Sequence, residues 1–210
     1  LWVWHMATKP VPDWRQGELV VILPLADSLD FPLDQELAEL FAGELQLKLK
    51  ILPLLPDQVA RKLTAHQAHL SAIGMRSNES DPTFVFGAPY QTLREKVVCS
   101  GNPPKRLEDL LARTVIVTAG SEQEAALRAA QQELPALHWR TLAKKMPNEL
   151  LDAVEAGQID CTVANEEQIA TMRNFHPDLA AAFDVASPSK LAWSFPRDAD
   201  PVLLQRMRDF

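Results

Sequence analysis

Residues Asn148 to Ala170 read NELLDAVEAGQIDCTVANEEQIA. A helix-like run ends at Gly157, a short β-like run follows, and that run stops at a polar residue, Asn165. A second helix opens directly behind it with Glu166 and Glu167. Helix, strand and helix in tight succession are the unit from which layered α/β sheets are built. In such sheets ligands bind beyond the carboxyl ends of strands. Asn165 is therefore a candidate ligand contact. It is equally suited to cap the following helix, because an Asn before a first-turn acidic pair accepts an orphan helix N–H. Both roles stay open.

The same alternation runs through the rest of the chain. ELVVILPL (Glu18 to Leu25) is a buried-strand pattern, followed by a helix in which Leu33, Leu37, Leu40 and Phe41 recur at helical spacing. QLKLKILPL alternates polar and apolar residues, as expected of a strand with one wet face. LPDQVARKLTAHQ predicts a helix, and HLSAIGM and QTLREKVVCS predict strands. The cluster Gly101, Asn102, Pro103, Pro104 is the strongest loop signal and is expected to carry the chain between two lobes. The pattern then restarts with the strand RTVIVTAGS, a helix capped by Ser121 with Glu124 closing a capping box, and the strand ALHWRTL. The expected fold class is α/β, two-lobed and mainly parallel. Residues 1–12 form a tail outside the fold, 13–101 lobe 1, 102–187 lobe 2, and 188–210 a return to lobe 1. The tail reads as a signal or anchor remnant or as appended sequence. PVLLQRMRDF carries no helix stop signal, so the chain is expected to continue past Phe210.

Composition removes several function classes. The net charge is −7 and the longest basic run is Lys144-Lys145, so the positive field that nucleic acid requires is missing. No stretch reaches the length of a membrane span, leaving a membrane link only through an anchor. The two cysteines, Cys99 and Cys161, lie far apart without CxxC spacing and read as buried small hydrophobes, not as a disulfide or zinc framework. His66 and His69 stand at i, i+3 on one predicted helical face without a third ligand, and read as surface histidines. Glu36, Glu39 and Glu149 fall on outward helix positions. GxSxG, P-loop and GxGxxG patterns are missing. No metal or cofactor is implied.

GELVVILP, then PLDQELAELFAGELQLKLKIL, and then the opening stretch resemble, in that order, periplasmic solute-binding proteins of family 3, the polar amino-acid binders. FHPDLAAAFDV, LPALHWRTL and LAWSFPRDADPVLL are similar to one subgroup, the amino-terminal domain of membrane-bound lytic murein transglycosylase F. The resemblance implies two α/β lobes joined by two crossover strands, a ligand in the cleft, and a periplasmic, possibly membrane-anchored protein. In the family an Arg beyond Gly74 clamps the ligand carboxylate. Here Asp81, which would repel a carboxylate, falls at that position, and Arg76, five residues earlier, either reaches into the cleft or stands as solvated surface. Asn165 matches an Asp that holds the ligand ammonium. The turn at Gly120 and Ser121 matches one whose N–H groups hold a carboxylate, although Glu122 and Glu124 would oppose an anion. Phe31, in LADSLDFP, would stack on a ligand or staple the next helix.

The resemblance thus points to a non-catalytic sensory domain binding a muropeptide, a peptide or an amino acid. A covalently linked lysozyme-like domain would supply the catalytic Glu of a transglycosylase, which this chain lacks. A free-standing importer receptor and a scaffold that has lost its ligand are the alternatives. Free α-amino acids are expected to bind poorly, because both charge partners differ.

Overall fold

The computed structural model describes residues 9–25, 32–77 and 79–210. Its strands are β1 (Glu18–Pro24), β2 (Lys48–Leu54), β3 (Leu70–Arg76), β4 (Phe84–Phe86), β5 (Gln91–Leu93), β6 (Glu95–Cys99), β7 (Ile116–Thr118), β8 (Arg140–Leu142), β9 (Cys161–Asn165) and β10 (Ser189–Pro196). Its helices are α1 (Pro32–Glu44), α2 (Val59–Thr64), α3 (Glu122–Gln131), α4 (Pro147–Glu155), α5 (Glu166–Met172) and α6 (Pro201–Asp209). The chain divides into two compact units. Among the described residues, the first holds 9–25, 32–91 and 191–210, and the second holds 92–190.

In the first unit the strand order is β2-β1-β3-β10-β4. β1 pairs in parallel with β2 and β3, while β10 runs antiparallel to β3 and β4. β1 is a continuous apolar run because both of its faces are covered. Leu19, Val21 and Leu23 join a core with Phe41, Ala38 and Ala42 of α1 and Leu203 and Met207 of α6. Val20 and Ile22 turn to the other face, against Val59 and Leu63 of α2. Each such side chain contributes about 1.5–3 kcal/mol on burial, so this strand anchors the unit. β2 ends the sheet and shows the expected wet face, with Lys48 and Lys50 exposed; edge lysines discourage pairing with another chain.

Two expectations fail here for local reasons. Residues 1–12 are expected to form a tail outside the fold, yet Val11 packs against the α2-side core and its N–H donates to the His66 carbonyl at 2.7 Å. The histidines do not share a helical face. α2 stops at Thr64, and His66 sits at φ 53°, a left-handed conformation that ends the helix. His69 is partly buried. Its Nδ1 accepts the Val20 N–H at 2.8 Å and its Nε2 lies 2.8 Å from the Pro12 carbonyl. Those partners fix the neutral tautomer with the proton on Nε2.

The second unit contains the antiparallel pair β6–β9 and the parallel pair β7–β8. A parallel bridge from Val115 to Cys161 links the two pairs. β9 alternates cleanly: Cys161 and Val163 face Ala126, Leu127 and Ala130 of α3, while Ala164 faces Leu151 and Val154 of α4 and Ile169 of α5. Of ALHWRTL only Arg140–Leu142 is strand, although Leu137 is fully buried. QTLREKVVCS is broken at Arg94 into β5 and β6, and the chain changes unit between Gln91 and Thr92. The Gly101–Pro104 loop, expected as that crossing, lies inside the second unit. It turns the chain into a 3-10 segment, Leu107–Ala112. Pairing is mixed rather than mainly parallel.

Cys99 and Cys161 form a disulfide. This corrects the reading of two independent buried thiols. The β6–β9 register sets the two residues directly opposite each other, with Cα atoms 4.1 Å apart. Beside them Arg113 pairs with Asp160 at 2.9 Å and donates to the Ser100 carbonyl at 3.0 Å, holding both strand ends.

Candidate functional site

Phe31 lies outside the described residues. Gly74, Arg76 and Asp81 fall in the first unit, and Gly120, Ser121 and Asn165 in the second.

In the first unit, Gly74 is needed for space. A Cβ there would stand 2.7 Å from the Tyr90 hydroxyl and 3.0 Å from Leu191 Cδ1. That hydroxyl donates to Oδ1 of buried Asp34 at 2.6 Å. Arg76 is the last residue of β3, opposite Leu191 in β10, and is partly buried. Asp81 is committed to the backbone. Its Oδ1 accepts the N–H groups of Thr83 at 2.7 Å and Phe84 at 2.9 Å, and its own carbonyl accepts from Arg197 at 3.0 Å. Asp81 therefore sets the turn into β4, as short acidic side chains do when they bond backbone two or three residues on.

In the second unit, Gly120 adopts φ 72°, which a glycine tolerates, and opens the turn into α3. Ser121 caps α3 as the sequence predicts: its Oγ accepts the Glu124 N–H at 3.3 Å and donates to the Thr118 carbonyl at 2.7 Å. Glu124 closes the box one residue early. Its Oε2 accepts the Gly120 N–H at 2.7 Å, and its Oε1 pairs with Arg128. The turn's Gly120 donor is thus already facing a carboxylate from the chain itself.

Asn165 caps α5 in a reciprocal box. Its Oδ1 accepts the Gln168 N–H at 2.8 Å, and its N–H donates to Gln168 Oε1 at 2.9 Å. The capping role is therefore present. Around it lies a buried polar group that sequence reasoning missed. Gln123 of α3 donates from Nε2 to Gln168 Oε1 at 3.3 Å and to Glu95 Oε2 at 3.0 Å. Glu95 is 2% exposed and is the cross-strand partner of Asn165. Through Gln168 and Gln123 the network links Asn165 to the first turn of α3. The one legible signal was Gln123 inside the capping-box run, which reads locally as a solvated first-turn residue.

On the opposite face of β6, Lys96 bonds Asp184 and lies 3.4 Å from Glu166, while Arg94 reaches Asp184 at 2.9 Å. The hydrogen bond from Lys96 holds the Asp184 carboxyl below its ordinary range, and the bond to Asp184 raises the Lys96 ammonium. Glu149 accepts the Met146 N–H at 2.8 Å, which lowers its pKa, so it caps α4 as well as facing solvent. Among the described residues no helix is long and apolar enough to cross a membrane.

Three proteins named membrane-bound lytic murein transglycosylase F are similar in sequence. That of Methylobacillus flagellatus is 28% identical over 97% of this chain and 47% of its own length. That of Nitrosospira multiformis is 34% identical over 85% of this chain and 38% of its own. That of Maricaulis maris is 32% identical over 86% and 42% respectively. The chain thus spans less than half the length of these relatives. No family model matches. Among solved structures, the P235GK mutant of ArgBP from T. maritima superposes with a TM-score of 0.78 at 21% identity, covering 93% of this chain and 88% of that one. The amino acid ABC transporter substrate-binding protein AbpA of Streptococcus pneumoniae, bound to L-arginine, gives 0.78 at 25% identity, covering 93% and 87%.

Proposed function

From a chain that is homologous to the amino-terminal region of the proteins named membrane-bound lytic murein transglycosylase F, and that has the fold of family 3 solute-binding proteins, we propose a non-catalytic ligand-binding module of a cell-wall-associated protein. Its ligand is a peptide or muropeptide rather than a free amino acid. This reading assigns peptidoglycan cleavage to the part of the relatives outside the matched region. The module would act as a sensor: a ligand that contacts one conformation better than another shifts their populations.

One observation carries the choice of ligand. The Gly120 N–H, which the resemblance offers to a ligand carboxylate, is held by Glu124 at 2.7 Å. A free α-carboxylate would have to displace a charge-assisted bond that costs no loss of translational freedom. A peptide can present neutral internal amide groups to this turn, and these need not displace that bond. Localisation in the periplasm follows from the same reading, and the Cys99–Cys161 disulfide supports it, since such bonds persist in oxidising compartments.

Calorimetric titration with the common amino acids and with peptidoglycan tetrapeptides tests the proposal. Binding of a tetrapeptide with weak or no binding of amino acids is expected. Tight binding of a plain amino acid would favour an importer receptor, the reading to which the arginine-bound neighbour points. Binding of neither would favour a scaffold.

A further inference from the structure

We propose that the Cys99–Cys161 disulfide is a redox-responsive switch of the second unit: an external dithiol opens it at Cys99, and the end of the β6–β9 pair then parts. The proposal is independent of the ligand-binding reading above.

The bond lies in a strand pair that other contacts already hold. The Cys161 N–H points away from β6 and donates to the Thr114 carbonyl at 3.1 Å. Cys99 and Cys161 therefore face each other at a non-hydrogen-bonded position, where opposed side chains lie closest. At the next position the Ser100 N–H donates to the Asp160 carbonyl at 2.8 Å. The Asp160 side chain is in turn held by Arg113 and by the Thr114 N–H at 3.0 Å. Register alone thus brings the sulfurs together, and can do so again after reduction.

Access to the two sulfurs is unequal. Cys161 is fully buried in the core that includes Ala126, Leu127 and Ala130 of α3. Cys99 is only partly buried. The outer edge of β6 is covered by residues 182–185. Val97 donates to the Phe183 carbonyl at 3.0 Å and accepts from Ala182 at 2.8 Å, and the Glu95 carbonyl accepts from Val185 at 2.8 Å. That cover ends at Val97. Among the described residues Cys99 makes no backbone hydrogen bond on this edge. A thiolate arriving from outside meets the Cys99 sulfur, with Cys161 as the leaving group.

The exchange balances in two steps. One thiolate of the dithiol attacks Cys99 Sγ, forming a mixed disulfide and releasing the Cys161 thiolate, which takes a proton. The dithiol's second sulfur then displaces Cys99, which leaves as a thiolate and is protonated in turn. The dithiol is oxidised to a disulfide, and the protein gains two electrons and two protons. Two thiols then need van der Waals separation where a bond held their sulfurs. Cys161 has close-packed α3 side chains behind it, so the displacement falls on Cys99 and the open edge of β6. The ladder bond at Ser100 is the first to be lost.

The test treats the 210-residue chain with dithiothreitol in the absence of denaturant, then alkylates it and reads the mass. Complete reduction with retention of the far-UV circular dichroism is expected, and oxidised glutathione should restore the bond. Brief exposure to reduced glutathione, quenched by acid and mapped by peptide, should trap the adduct on Cys99. Amide exchange in the reduced chain should show Ser100 losing protection while Val97 and Val185 keep theirs. Cys99→Ala with Cys161→Ala lacks both sulfurs and should keep Ser100 protected. A disulfide that resists dithiothreitol until urea unfolds the chain is a staple and overturns the proposal. So does an adduct on Cys161, equal Ser100 protection in the oxidised and reduced chains, or the same loss in the double alanine variant.

Discussion

The Tyr90 hydroxyl donates a 2.6 Å hydrogen bond to Asp34 while lying 2.7 Å from where a Cβ on Gly74 would stand. A residue before the C-terminal end of β3 thus has no side chain because another residue's polar head occupies its place.

Gly74→Ala should therefore destabilise the protein by about 1–3 kcal/mol, the usual cost of forcing an extra carbon into a filled site. Leu191 Cδ1 at 3.0 Å limits relaxation on the other side. Urea unfolding measures the loss. Tyr90→Phe removes the oxygen that clashes, so Gly74→Ala should cost less in that background. Equal costs in both backgrounds would show that the hydroxyl does not set the requirement.

The disulfide joins residues 62 apart in sequence. Closing a loop of that length in the unfolded chain is worth about 4 kcal/mol in the chain-entropy description. Reduction, or Cys99→Ala with Cys161→Ala, should lower the urea midpoint by a corresponding amount. The first unit, which holds neither cysteine, should show little change in amide exchange. Uniform loss of protection would mean that the two units unfold together.

These two cases show what the sequence can reveal. β1, α1 and the run from α4 to α5 were legible because burial on known faces imposes its period directly on the residues. The capping roles of Ser121 and Asn165 were legible because a cap is a local bond. The disulfide was hidden because it depends on the register between β6 and β9, strands with different sequence neighbours. Glu95, Gln123 and Gln168 converge from three elements for the same reason. The crossing was misplaced because Gly and Pro mark tight turns, whereas a crossover needs only extended chain. The histidines were misread because HQAH continues a helical pattern that His66 ends by its backbone conformation.

His69 gives a pH prediction. Burial pushes its pKa below the ordinary histidine value, against the smaller raising effects of the Pro12 carbonyl, Asp13 and Glu18. The unfolded chain then binds a proton that the folded one resists, so stability rises with pH across the interval between the two values. The contribution is complete above about pH 6.5, and is lost as pH falls from there towards the folded value. Protonation also turns Nδ1 from an acceptor into a donor facing the Val20 N–H. Amide exchange at Val20 and Val11 should accelerate as pH is lowered through this range. In His69→Ala that acid-dependent component should vanish; its persistence would assign it to another group.

Glu124 links stability to the choice of ligand. Its carboxylate accepts the Gly120 N–H and lies in the first turn of α3, where negative charge is favourable. Glu124→Ala should cost about 1 kcal/mol in urea unfolding, the ordinary value of a lost cap. It also leaves the Gly120 donor open to another carboxylate. If Glu124 is what excludes free amino acids, calorimetry on Glu124→Ala should detect amino-acid binding that the native chain lacks. Glu124→Gln should behave in between, because a neutral amide oxygen still accepts the N–H but holds it less strongly. A variant that loses stability without gaining amino-acid affinity would reduce Glu124 to a cap.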